Sequence, residues 1–480
     1  MRYPAQAQEA TLKQIVEKAA STQFGRDHRF GEIKSHKDFV ERVPIRDYEA
    51  LKPYINQIKD GAENVLWPGK PLYFAKTSGT TSGTKYIPIS KDSISNHING
   101  ARDALLNYVY HSGKSGFLDK KLIFLSGSPT LEKVAGIYTG RLSGIANHHV
   151  PGYLRSNQLP SFATNCMEDW EQKLEQIIDE TVGQNLSLIS GIPPWVQMYF
   201  DRIEARTGKQ IKDVFPDFSL FVYGGVNFEP YRKKLTESIG RPIDSIELFP
   251  ASEGFFAFQD IPGKEGLLLL LNSGIFYEFI PVDDFFGDNP QRLSIQDVEL
   301  GKNYVLIINS NAGLWGYNIG DTVKFISKNP HRILVTGRVK HFISAFGEHV
   351  IGEEVEKALK RTLEYHPEVS VTEFTVAPQV NPEDGLPHHE WLVEFDVAPA
   401  NMPAFERRLD ESLCKLNSYY NDLILGKILT TLVVTALPPG SFQGYMKQMG
   451  KLGGQNKVPR LSNDRVLADG LLTLKDRNMV

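Results

Sequence analysis

The run "FAKTSGTTSGTKYIPIS", Phe74 to Ser90, sets glycines, serines and threonines between Lys76 and Lys85. A phosphate chain needs many hydrogen-bond donors, little bulk and no negative charge, which glycine backbones, hydroxyls and lysine supply together. The run is not a Walker loop: Gly79 and Gly83 are four apart, and Thr84 stands before Lys85, so G-x-x-x-x-G-K-[ST] fails. A different nucleotide chemistry is indicated. Taken alone, the run also reads as a polar turn between strands "LYFAKT" and "KYIPIS".

Four later stretches bear on that choice. In "VYGGVNFEPYRKKL", Gly224 and Gly225 directly follow a predicted strand, where a missing side chain lets a flat ring or phosphate approach the backbone. "IELFPASEGFFAF" places Ser252 and Glu253 after another strand, a carboxylate suited to a magnesium ion. "LWGYNIGDTVKFI" offers Asp321 as an acceptor for ribose hydroxyls. "GQNKVPRL" carries Lys457 in a glycine-rich loop, a point charge able to reach a phosphate or carboxylate oxygen. Singly, each has an ordinary account: a turn, a solvated carboxylate, an Asp in a β-turn, a surface lysine. Their joint appearance in this order favours the functional account.

These residues need elements to position them. From Tyr3 to about Lys70 the pattern is helical and loop-like, with Leu12, Ile15, Val16 and Ala19 on one face and breakers at Pro44, Pro53 and Pro68. "KLIFLSGS", "NLSLISGI" and "LFVYGG" then end in small residues and alternate with helical segments such as "MEDWEQKLEQIIDE", the pattern of a mostly parallel sheet. Gly266 to Gly337 reads as strand after strand, an antiparallel or β-barrel-like subdomain. Beyond Arg338 the order is "HFISAF", a helix over 352–363, "SVTEFTVA", "EWLVEFDV", the helix "PAFERRLDESLCKLNSYY" and "ILTTLVVTAL". That β-α-β-β-α-β order predicts a small ferredoxin-like α+β domain. The expectation is thus an α/β protein with a large amino-terminal domain, 1–338, and a small carboxyl-terminal domain, 339–480.

Composition narrows the function. The chain has 480 residues, 41% of them hydrophobic, and a net charge of -4 with mixed signs. Neither a nucleic-acid nor an anionic-membrane footprint is present, so small-molecule chemistry is the expectation. Cys166 and Cys414 lack disulfide or zinc spacing. No signal-peptide core and no run of about 18 apolar residues occurs, which predicts a cytoplasmic protein and leaves its oligomeric state open. The histidine pairs His148–His149 and His388–His389 lack ligand spacing and are expected in solvated loops, "YRKKL" reads as an exposed helix face, and G-x-S-x-G is absent.

"TSGTTSGTKYIP", "YGGVNFEPYR", "FPASEGFF", "YNIGDTVKF", "TGRVKHFISAFGE" and "GGQNKVPR" together resemble the adenylate-forming enzymes, and among them the Gretchen Hagen (auxin-responsive) family of acyl acid amido synthetases. The resemblance runs from about Thr77 to Arg460. It implies an enzyme that takes a carboxylic acid and Mg-ATP to an acyl adenylate and pyrophosphate, then passes the acyl group to an amino acid amine. It implies ATP and Mg2+ as cofactors, with Ser78, Gly79, Thr80, Thr81, Ser82 and Thr84 around the β- and γ-phosphates. Gly224, Gly225 and Val226 would border the adenine, Ser252 would join the ATP site, Glu253 would hold Mg2+, and Asp321 would bind the ribose. Arg338 would contact ribose or phosphate at a hinge, and Lys457 would bridge the α-phosphate and the acid as charge develops. Trp195, Tyr153 and Phe255 are the candidates for an acyl pocket, although large aromatics more often pack in cores. Thr81 and the pair Gly83–Thr84 depart from the small and charged residues expected in plant members. Passage of the acyl group to a thiol such as coenzyme A is the alternative reaction, and a non-catalytic nucleotide-binding protein the alternative class.

Overall fold

The stretches expected as strands form strands, and two compact units result, the first drawn from Met1–Val339 and the second formed chiefly by Lys340–Val480. The computed structural model describes residues 3–80, 83–167, 169–225, 228–285, 287, 289–338, 342–343, 345–348, 350–449 and 458–477.

In the first unit the strands are β1 (Tyr73–Thr80), β2 (Gly83–Ile89), β3 (Lys121–Phe124), β4 (Glu132–Val134), β5 (Ile137–Gly140), β6 (Gln158–Leu159), β7 (Leu186–Ser190), β8 (Leu220–Gly224), β9 (Asp244–Ala251), β10 (Gly254–Phe258), β11 (Leu267–Leu269), β12 (Ile275–Pro281), β13 (Asn303–Ser310), β14 (Tyr317–Lys328) and β15 (His331–Arg338). One eleven-stranded sheet has the order β12-β13-β14-β15-β11-β10-β9-β8-β7-β3-β6. From β6 to β9 neighbours are parallel. From β9 to β12 they are antiparallel. The central parallel strands β7 and β8 are buried along all but their last residue because both faces are covered. The antiparallel strands are therefore continuous with the parallel ones, and they curl: Phe256 of β10 meets Tyr277 of β12 edge to face at 6.3 Å. The barrel-like character expected from the sequence lies in that curl, whose interior is filled by Phe279, Tyr304, Tyr317 and Phe325.

A second sheet, β2-β1-β5-β4, carries the Gly/Ser/Thr run on its hairpin. The helix Ile94–Ser112 follows β2 and lies along β9, with Asn96 at Phe255 and the Tyr108 hydroxyl donating to Asp244 at 2.8 Å. The amino-terminal helices start where short polar side chains cap them: Ser35 and Asp38 form a capping box, and Asp47 accepts from the Ala50 N–H. Pro53, expected to break the chain, sits inside the helix Tyr48–Lys59. The Asp47 cap and the buried face of Leu51, Ile55 and Ile58 outweigh the one hydrogen bond it removes.

The second unit holds β16 (Phe342–Ile343), β17 (Val350–Ile351), β18 (Ser370–Gln379), β19 (His388–Val397) and β20 (Val433–Leu437), with helices Gly352–Tyr365 and Met402–Leu416 between them. The element order matches the ferredoxin-like expectation, but the sheet is β18-β19-β20 and β19 lies directly beside β20 in parallel. The strand "HFISAF" stays out of it, because its two strand residues pair with Val350–Ile351 instead. The long helix expected over 403–420 divides at Asn417, whose side chain caps the helix Ser418–Leu425.

Candidate active site

Ser252 and Glu253 form the two-residue loop between β9 and β10, where the sheet changes from parallel to antiparallel. Loops at the carboxyl ends of parallel strands are where α/β sheets hold ligands. Glu253 is half-buried, and the Tyr317 hydroxyl lies 3.4 Å from its Oε1. Burial, then the charge of Glu253, raises the Tyr317 phenol well above its ordinary range, so it remains a donor. Tyr48, pushed up to about 12 by burial, accepts from the Tyr86 N–H of β2 at 2.8 Å. Among the described residues Glu253 has no other hydrogen-bond partner, and no cluster of three or more His, Cys, Asp or Glu could cage a metal. One hard oxygen donor fits a magnesium ion held through a carboxylate, phosphate oxygens and water.

The other expected residues fall as follows. Gly79 lies in β1, Thr84 is exposed in β2, and Lys76 of the same run is paired with Glu132 at 2.5 Å. The Lys85 ammonium lies 5.9 Å from the centre of the Tyr48 ring. Gly224 needs its missing side chain for strand packing, since a Cβ there would lie 2.3 Å from the Leu248 carbonyl oxygen. Gly225 differs: it is exposed, has a left-handed φ of +84°, and among the described residues nothing lies within 4 Å of its Cβ position. Asp321 is buried and sits opposite Arg338 in the β14–β15 ladder, just after Gly320 at φ +89°. Thr81, Ser82, Val226 and Lys457 lie outside the described residues, as do the side chains of Ser78, Thr80, Tyr153 and Arg338. Directly after Lys457 the chain is fixed to β18 of its own unit, with Thr375 Oγ1 donating to the Pro459 carbonyl at 2.8 Å and the Val376 N–H to that of Arg460 at 3.0 Å.

Of the acyl-pocket candidates, Trp195 is half-buried in the first turn of the helix Pro193–Thr207. Phe255 is a core residue, 3% exposed and packed on Gly100. Of the two histidine pairs, His148–His149 lies in a turn with His148 exposed, as expected, whereas His388–His389 lies in the strand β19. His148 Nε2 lies 2.8 Å from the Pro129 carbonyl oxygen and His149 Nε2 3.0 Å from the Tyr73 hydroxyl. His389 is fully buried and lies 2.8 Å from Glu348. Tyr317 and Asn96, which shape the Glu253 turn, gave no motif; Tyr317 stood inside the quoted "LWGYNIGD" but reads there as an apolar strand residue. A depression of about 470 Å3 opens at the opposite, amino-terminal ends of β7, β8 and β9, where Lys114 and Lys120 are already paired with Asp244 and Asp217. Gly225 and Glu253 lie instead just after the carboxyl ends of β8 and β9.

The GH3 family N-terminal domain matches residues 1–148 and 129–243, the GH3 family central domain residues 268–338, and the GH3 family C-terminal domain residues 353–466. The chain belongs to the GH3 family. It is 23% identical to jasmonoyl–L-amino acid synthetase GH3.5 of Oryza sativa subsp. japonica, over 97% of this chain and 94% of that protein. With indole-3-acetic acid-amido synthetase GH3.3 of Arabidopsis thaliana it shares 21%, over 94% and 88%. Its fold is that of the acyl acid amido synthetase AtGH3.15 in complex with 2,4-DB (TM-score 0.62, 17% identity, 98% and 94% of the two chains). It is also that of 2-hydroxyisobutyryl-CoA ligase (TM-score 0.61, 14% identity, 98% and 92%). As a GH3 protein, the chain is an adenylate-forming ligase of the amido synthetase type. Among its described residues no helix is long and apolar enough to cross a membrane.

Proposed function

We propose that this ligase uses ATP and Mg2+ to activate a small carboxylic acid as its acyl adenylate and transfers the acyl group to the amine of an amino acid. The observation that carries the proposal is Glu253: a half-exposed carboxylate at the parallel-to-antiparallel switch whose one hydrogen bond among the described residues comes from a hydroxyl that stays protonated. A carboxylate is a poor electrophile, and bringing it against an anionic phosphate requires neutralised charge and fixed alignment more than covalent help. Mg2+ supplies charge neutralisation when bound. In this reading Glu253 holds it, Ser78 to Ser82 and Thr84 donate to the β- and γ-phosphates, and Gly224, Gly225 and Val226 border the adenine. Ser252 joins that site, Asp321 accepts from the ribose and Arg338 donates to ribose or phosphate. Lys457 meets the charge that develops between the acid and the α-phosphate. Trp195 and Tyr153 line the acyl pocket, and Phe255 backs it from the core. Residues 339–480 form the domain that moves between the two half-reactions.

The test is acid-dependent exchange between ATP and pyrophosphate across aromatic, aliphatic and hydroxylated acids, with wild type and Lys457→Ala in parallel. Exchange that depends on an acid and falls by about two orders of magnitude or more in the variant is the expected result. Product analysis then follows with an amino acid panel and with coenzyme A. The amide is expected, and a thioester in its place would move this chain towards the ligase it also resembles in fold.

A further inference from the structure

The Ser252–Glu253 loop is short, yet the β9–β10 ladder that should hold it is irregular. One step along, Phe255 faces Pro250 as a pair that exchanges no ladder bonds, and the register slips between Phe255 and Ala257. The next strand, β11, pairs with β10 only from Ala257 and Phe258 onward. Buried backbone groups need partners. Both groups of Phe255 find theirs in one side chain: Asn96 Nδ2 donates to the Phe255 carbonyl at 3.0 Å, and the Phe255 N–H donates to Asn96 Oδ1 at 2.7 Å. Asn96 is 5% exposed.

One turn further along the same helix, Gly100 leaves room for the Phe255 ring, where a Cβ would lie 2.4–2.9 Å from three ring carbons. Positions four apart share a helix face, so the 94–112 helix grips backbone and ring of the residue two places after Glu253. The start of this helix is itself fixed, by Ser90 Oγ donating to the Asn311 carbonyl at 2.6 Å and Asn311 Nδ2 to that of Asp92 at 3.1 Å. It also follows directly on β2, so one rigid element joins the Gly/Ser/Thr hairpin to the carboxylate turn.

We propose that Asn96 is a positioning residue for Glu253, setting the direction of its carboxylate by serving as the missing ladder partner of Phe255. The proposal rests on Glu253 as the magnesium-binding carboxylate. Orientation of a metal ligand by its supporting hydrogen bonds is worth about ten- to a hundredfold in affinity.

The experiment titrates Mg2+ at fixed ATP in the pyrophosphate exchange reaction of the full chain, beside a thermal melt of each variant. The variants are Glu253→Gln, Asn96→Ala, Asn96→Asp, Gly100→Ala and Thr181→Val. Asn96→Asp retains the bond to the Phe255 N–H, Gly100→Ala presses on the ring alone, and Thr181→Val removes a buried hydroxyl contact with Tyr199 elsewhere in the unit. The expected result is a Mg2+ requirement raised about tenfold in Asn96→Ala, less in Asn96→Asp and Gly100→Ala, and unchanged in Thr181→Val. A requirement unchanged in the Asn96 and Gly100 variants that fold, beside a raised one in Glu253→Gln, overturns the positioning role. So does an equal rise in Thr181→Val. An unchanged requirement in Glu253→Gln overturns the assignment of Glu253 itself.

Discussion

Two carboxylates of the large unit, Glu278 on β12 and Glu253 after β9, lie in the same curled sheet and are treated in opposite ways. Glu278 is fully buried and saturated. It receives His36 Nε2 at 2.8 Å, Arg292 Nε at 2.9 Å and Nη2 at 2.5 Å, and Asn309 Nδ2 at 2.9 Å. Burial alone would raise its pKa, but the Arg292 charge and these hydrogen bonds outweigh burial and hold it at about 2. Glu253 is half-exposed, with one 3.4 Å hydrogen bond among the described residues. A carboxylate with every lone pair engaged ties elements together; one with most of them open is available to a cation.

The strongest way to break this contrast is to remove the saturated member. Glu278→Leu leaves Arg292 buried without its counter-charge and is expected to cost about 3–5 kcal/mol of stability, read by denaturant unfolding. The pH dependence carries the same signature. The folded value lies below the unfolded one, so the stabilisation is present above about 4.3 and is lost as pH falls towards about 2. Acid unfolding of Glu278→Gln should lack this step, and an unchanged acid profile would place the loss in other groups.

Glu253→Gln should do the reverse. Turnover falls about a hundredfold while stability changes by no more than about 0.5 kcal/mol. A variant that unfolds early but keeps its Mg2+ dependence would make Glu253 a structural residue like Glu278. The two glycines sharpen the contrast at smaller scale. Gly224→Ala forces a Cβ against the Leu248 carbonyl and is expected to cost about 1–3 kcal/mol, whereas Gly225→Ala meets only its left-handed φ, about 1–2 kcal/mol, with any excess loss appearing in the KM for ATP. The smallest effect is expected of Tyr317→Phe, about 1 kcal/mol or less in melting, because the hydroxyl it removes makes a long contact.

Much of the fold was legible because its cues are local. Apolar runs ending in small residues gave β3, β7 and β8, and the Gly, Ser and Thr between Lys76 and Lys85 fall on the β1–β2 hairpin. Cues that act at a distance were not legible. His389 carries the same polar side chain as an exposed histidine, and only the packing of β19 against Glu348 makes it internal. Pro53 reads as a breaker until the Asp47 cap and the buried face of its helix are set against it. "HFISAF" looks like a sheet strand, but strand partners are chosen by tertiary competition, and Val350–Ile351 takes it.

By itself the sequence determined the family, the class of reaction and a run of residue types suited to a phosphate chain, because family motifs and donor chemistry are written in contiguous residues. Only the tertiary structure decided where the singled-out residues sit, with Gly225 exposed, Glu253 half-buried and Asp321 buried. The curl of the antiparallel strands carries Tyr317 to Glu253 across 64 positions, and the 94–112 helix carries Asn96 to Phe255 across 159. Side chains that far apart in sequence have no common local pattern, and hydrogen bonds between them exist only once the core has fixed both backbones.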